Sequence, residues 1–184
     1  MGDPKKKHKL YTTPKRPYDT ASLEEDLKII GAYGLRNKRE LWRIMTELST
    51  LRRRTRTMLS MDPVARTENE KAMIGRLHSF GLVGENAHLD DVLGLSIQDL
   101  LERRLQTVVF RRGMAKSLFQ ARQLITHGHI AIDSRKVKAP SYKVMRADEE
   151  KLDYAESSPF HAREHPLRKE ITMAEMSGGE TVER

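Results

Sequence analysis

The stretch from Ser96 to Ile132, SIQDLLERRLQTVVFRRGMAKSLFQARQLITHGHIAI, decides how the chain is read. Its first half opens with Ser96 and Asp99, a pairing in which each side chain can serve the other residue's backbone N–H. Leu101, Leu105, Val108 and Val109 then follow at helical spacing as far as Gly113. After the short connection Gly113-Met114-Ala115-Lys116-Ser117, Ser117 with Gln120 opens a second helix through Leu118, Ala121, Leu124 and Ile125, stopped at Gly128. Beyond Gly128 the period changes. Ile130 and Ile132 occupy every second position, as do Tyr142 and Val144, with a polar turn and Pro140 between them. Leu152 and Tyr154 offer a third short strand. A helical hairpin followed by a small sheet predicts an α+β fold, mostly helical.

Upstream, the punctuation is again helical. Ser22 with Glu25 predicts a helix carrying Leu23, Leu27 and Ile30 and ending at Gly31. The recurrence of Leu41, Ile44, Met45, Leu48, Leu51 and Met58 at three and four predicts a long helix from Lys38 to Leu59. Thr67 with Glu70 predicts a third, through Met73, Ile74 and Leu77 to Gly81. The resulting division is a basic extended arm (1–20), a helical module (21–100), a small domain (101–154) and a partly flexible tail (155–184).

The charge pattern points to the partner. Thirty-four Lys and Arg against 26 Asp and Glu give +8, which favours a polyanion by raising the local phosphate concentration. The chain has no cysteine, which removes disulfide frameworks, thiolate zinc sites and cysteine nucleophiles together. Apolar runs are far shorter than a membrane span, and the Lys-rich start lacks the apolar stretch of a secretory signal. The expectation is a soluble intracellular protein with no membrane partner. Lys5, Lys6 and Lys7 give the arm its charge, whereas the tail is acidic and carries Gly178-Gly179 without a phosphate-loop context.

On and just before the Lys38–Leu59 helix, Arg36, Arg39, Arg43 and Arg54 fall within about 60° of one another at about 100° per residue. Arg53 lies near Trp42, and Arg52 and Arg56 flank the apolar stripe. Guanidinium groups stay charged and match phosphate oxygens in pairs, so such a row can act as a phosphate rail; a plain solvated face is the alternative. The later hairpin displays Arg103, Arg104, Arg111, Arg112, Lys116 and Arg122, and the helix start at Ser117 offers backbone N–H groups to an anion. Spacing alone does not choose between DNA and RNA, or exclude an ordinary hairpin with a basic surface. Phe119 points away from Leu124, either to stack on a base or to touch the upstream module. Trp42 reads as a core-edge anchor. His127 with His129, or His161 with His165, makes a poor metal site without thiolates or a third ligand.

Together, Leu101-Glu102-Arg103-Arg104-Leu105, Ala115-Lys116-Ser117, Ala121-Arg122-Gln123-Leu124-Ile125 and His127-Gly128-His129-Ile130 resemble the S-four RNA-binding domain. Val137, Pro140, Ser141, Tyr142 and Val144 continue the pattern. Gly34-Leu35-Arg36-Asn37-Lys38-Arg39-Glu40, Leu93-Gly94-Leu95, the Lys-rich arm and Ser158-Pro159-Phe160 resemble the archaeal and eukaryotic branch of small-subunit ribosomal protein four. The similarity covers roughly residues 3 to 160. It implies two helices packed on a small twisted sheet, preceded by a helical module that also grips RNA. It further implies that Arg104, Lys116, Ser117, Arg122, Gln123 and His127 line the RNA surface, with Arg103 and Gln120 beside them. The implied setting is the cytoplasmic small ribosomal subunit. There the family binds the 5′ region of small-subunit ribosomal RNA early in assembly, close to where messenger RNA enters and beside small-subunit proteins three and five. No cofactor is implied. The zinc that some bacterial relatives hold through cysteines has no ligands here. Asp133-Ser134 stands where S-four domains often carry Asn-Gly.

Two other classes compete. S-four domains also occur appended to catalytic domains, but residues 1–96 are short and basic and show no nucleotide-binding loop, Ser-His-Asp set or paired carboxylates. A DNA-binding regulator would use the hairpin in one groove. Charge spread over an arm, a long helix and a hairpin fits a folded RNA better, whether in a ribosomal protein or in an RNA-binding stress protein of the same domain family.

Overall fold

The computed structural model describes residues 8–162 together with His165, Pro166 and Arg168. The first helix, α1 (Thr20–Tyr33), begins two residues before Ser22 and passes through Gly31 without a break. It ends instead at Gly34, whose φ of 57° is left-handed, and Leu35 N–H returns to the Ile30 carbonyl at 3.0 Å. Helix α2 (Lys38–Leu59) has the predicted limits. Asn37 caps it, its side chain accepting from Glu40 N–H at 3.1 Å. Helix α3 (Pro63–Ser79) starts one turn before Thr67, because Pro63 suits a first helical position where no N–H bond is made. A short helix that periodicity missed, α4 (Leu89–Gly94), is held by a capping box between His88 and Asp91.

The helix predicted from Ser96 to Gly113 is two helices. Helix α5 (Ile97–Glu102) carries the Ser96–Asp99 capping box, and α6 (Leu105–Arg111) follows after an extended Arg104. The 142–144 segment causes the break. Leu105 N–H donates to the Tyr142 carbonyl at 2.7 Å and Gln106 N–H to that of Pro140 at 3.3 Å, so the chain itself satisfies the first donors of α6. Val144 N–H donates to the Arg103 carbonyl at 3.0 Å. The expectation of a sheet strand at Tyr142 and Val144 is therefore corrected. That segment pairs with the helix break, where Lys143 bridges Arg104.

Helix α7 (Leu118–Thr126) leads into an antiparallel sheet of β1 (Ile130–Ile132), β2 (Arg135–Lys136) and β3 (Leu152–Tyr154), ordered β2-β1-β3. Asp133 and Ser134 both have positive φ (49° and 64°), as a two-residue type I′ hairpin requires, although neither is Gly. A four-residue helix, α8 (Arg146–Glu149), precedes β3. The segment after β3 is packed as far as Phe160: Ala155 N–H donates to the His129 carbonyl at 2.8 Å, and Phe160 meets the His129 ring edge-on at 4.7 Å.

Two apolar cores result. One gathers Leu41, Ile44, Leu48, Leu77, Val92 and Leu101 from the upstream helices. The other gathers Leu105, Val109, Ile125, Ile130, Val144 and Tyr154 beneath the sheet. Each fully buried aliphatic side chain contributes about 1.5–3 kcal/mol relative to exposure. The cores divide between Leu101 and Leu105, and polar contacts between the helical module and the small domain lie at that seam.

Candidate nucleic-acid interface

Of the cations expected to contact RNA, those on the helical module lie on the surface. Arg36, Arg39, Arg43, Arg53 and Arg54 are exposed, and among the described residues none of the five makes an ion pair. Their α2 stripe stays outward because the opposite face, Leu41, Ile44 and Leu48, is buried. Arg52 does other work, donating to the Leu95 carbonyl at 2.6 Å. Lys5, Lys6 and Lys7 lie outside the described residues. The arm is not wholly free: Thr12 N–H donates to the Thr46 hydroxyl at 3.0 Å, and the Tyr11 ring lies 6.0 Å from that of Trp42.

On α7 the side chains divide by role. Ser117 Oγ accepts the Gln120 N–H at 3.2 Å, and Gln120 Oε1 accepts the Lys116 N–H at 2.6 Å. Both acceptors therefore organise the helix start, leaving the hydroxyl proton and the amide donors to meet an incoming oxygen. Lys116, Gln123 and His127 are exposed. Phe119 is 67% exposed, which settles its alternatives in favour of solvent over the upstream module.

Arg104 is a correction. Only 4% exposed, it donates to Glu40 Oε2 at 2.9 Å instead of lining a surface. Arg122 reaches the same carboxylate at 2.5 Å and Gln106 Oε1 at 3.3 Å. Burial pushes the Glu40 carboxyl up, but the guanidinium groups of Arg122 and Arg104 outweigh it and hold the group below its ordinary value. Burial lowers Arg104 in turn, yet an arginine starts so high that it remains charged. Arg103 is also engaged, with Glu149 at 2.9 Å and the Val144 carbonyl at 3.1 Å. Sequence reasoning missed Glu40 because its partners are 64 and 82 residues away. The one signal was an acid set among arginines.

Next to this cluster a groove of about 840 Å³ runs between α2, α3 and residues 140–143. Its walls bear Arg43, Arg54, Arg76 and Lys143, and its floor bears Ile44, Met73 and Leu77. Among the described residues no group of three or more His, Cys, Asp or Glu could hold a metal, and no helix is long and apolar enough to cross a membrane.

A helical hairpin packed on three antiparallel strands, with polar and basic side chains displayed on its second helix, defines the class as an S4-domain protein. The S4 domain matches residues 103–149. Similarity extends well beyond that domain. The chain is 51% identical over 160 residues to the small ribosomal subunit protein uS4 of Ignicoccus hospitalis, covering 87% of this chain and 96% of the relative. It is 48% identical over 163 residues to that of Hyperthermus butylicus (89% and 93%), and 46% identical over 167 residues to that of Sulfurisphaera tokodaii (90% and 93%). The chain belongs to the uS4 family of small ribosomal subunit proteins, a family of ribosomal proteins and not of enzymes.

Proposed function

We propose that this protein is a structural constituent of the cytoplasmic small ribosomal subunit and binds small-subunit ribosomal RNA through the exposed arginines on and beside α2 and the exposed polar and basic side chains at α7 and its two ends. The observation that carries the reading is the row of exposed arginines Arg36, Arg39, Arg43, Arg53 and Arg54, which meet no carboxylate among the described residues. A solvated face would ordinarily be interleaved with acids, whereas phosphates supply the counter-charge here. Lys116, Ser117, Gln120, Gln123 and His127 extend the surface at α7 and its two ends, and Lys5, Lys6 and Lys7 add further cations to the binding. Phe119 adds a ring that can stack on an unpaired base, worth about 1–3 kcal/mol per base. Arg103, Arg104 and Arg122 support this surface from within.

Within that role, the chain binds the 5′ domain early and helps nucleate its assembly. It lies near the point where messenger RNA enters, beside small-subunit proteins three and five, and contributes to translational accuracy. Support for these finer points is the family resemblance, together with two packed modules that each present exposed polar or basic side chains beside a shared seam. Filter binding across a salt series tests the reading, with a 5′-domain rRNA fragment, an unrelated structured RNA of equal length and duplex DNA as ligands. Preference for the rRNA fragment that persists at physiological salt is expected. Equal binding to all three, collapsing together as salt rises, would contradict it.

A further inference from the structure

The seam between the modules is built from polar groups at close range. Glu40, on the first turn of α2, receives Arg104 from the α5–α6 break and Arg122 from α7. Gln106 Nε2 donates to the Gly34 carbonyl at 2.9 Å and to that of Leu118 at 3.0 Å, joining the α1–α2 turn to the start of α7. A Cβ on Gly34 would stand 2.8 Å from Leu118 Cβ, so the two backbones are as close as glycine permits. Arg36, Arg39 and Arg43 flank Glu40 on one side of this joint. Ser117, Gln123 and their neighbours flank Arg122 on the other.

From this geometry we infer that Glu40 is a positioning residue for RNA recognition. By bridging Arg104 and Arg122 it sets the angle between α2 and α7, so that the arginine face at α2 and the polar face at α7 present one preformed surface. The inference rests on the RNA-binding reading above. Its physical basis is preorganisation: a pair of modules already held in the bound arrangement loses less freedom on association. The expected sign is opposite to that of simple electrostatics. Neutralising an acid makes the chain more positive, which by charge alone strengthens binding to a polyanion. Loss of the bridge instead lowers the fraction of molecules in the competent arrangement, and affinity falls in proportion.

The test uses the full chain with Glu40→Gln. If a tenth of the molecules keep the competent arrangement, affinity for the 5′-domain fragment falls about tenfold. Circular dichroism should be retained. Because the chain has no cysteine, Ser49→Cys and Lys136→Cys, both at exposed positions, allow spin labels on α2 and β2. Their distance distribution without RNA should be narrow in the parent and broad in Glu40→Gln. Unchanged or tighter RNA binding by Glu40→Gln would overturn the inference, as would a narrow distribution in that variant. Should the parent fail to prefer rRNA, the functional reading falls, while the RNA-free distances still report whether Glu40 sets the angle.

Discussion

The arginines of α2 and those of the seam are one residue type in two opposite settings. Arg39 and Arg43 stand on an exposed helix face and Arg36 in the turn just before it, whereas Arg104, 4% exposed, and Arg122 close on Glu40. The difference lies in the carboxylate within reach. A buried guanidinium without one would be an uncompensated charge, so the fold brings Glu40 to it; an exposed one keeps its water until a phosphate arrives. Charge counted along the sequence therefore measures capacity for a polyanion, not which residues touch it.

The largest expected effect is at the seam. Arg104→Ala leaves the half-buried Glu40 with one partner fewer and should destabilise the chain by about 3 kcal/mol, measured by urea denaturation. Gly34→Ala forces a Cβ into the left-handed region and against Leu118, and about 2 kcal/mol should be lost in the same assay. Ser117→Ala removes the α7 cap and should cost about 1 kcal/mol. At the exposed face the effect on stability shrinks to within about 0.5 kcal/mol for Arg36, Arg39 or Arg43 changed to Ala. Acid should separate the regions further. Because Glu40 is held below its ordinary value, the stability it contributes is present above the usual glutamate range and is lost as pH falls through the lowered value. The difference in Tm between the parent and Glu40→Gln should accordingly vanish in acid, while the parent and the exposed-face variants stay parallel.

Helices whose limits are written locally were legible. The limits of α2 followed from its apolar recurrence, and Ser117 marked the start of α7. The start of α3 was missed because Pro63 precedes the Thr67–Glu70 signal by a turn. The break at Arg103-Arg104 could not be read, since Leu101, Leu105, Val108 and Val109 keep helical spacing across it. The carbonyls that make the break stable come from Pro140 and Tyr142. Strand β2 was hidden as well: Arg135 and Lys136 are both exposed and carry no alternation. In the site, helical angles found the exposed arginines of α2, because exposure there depends only on the opposite face being apolar. They could not find the withdrawal of Arg104, which depends on a residue in another module.

The most direct test of this division is the salt dependence of rRNA-fragment binding by the Arg36→Ala, Arg39→Ala, Arg43→Ala triple variant, with its Tm measured alongside. Three lost phosphate contacts should reduce the slope of log affinity against log salt by about 3, with Tm unchanged. An unchanged slope would mean that this face meets no phosphate, and the account of the surface would be wrong.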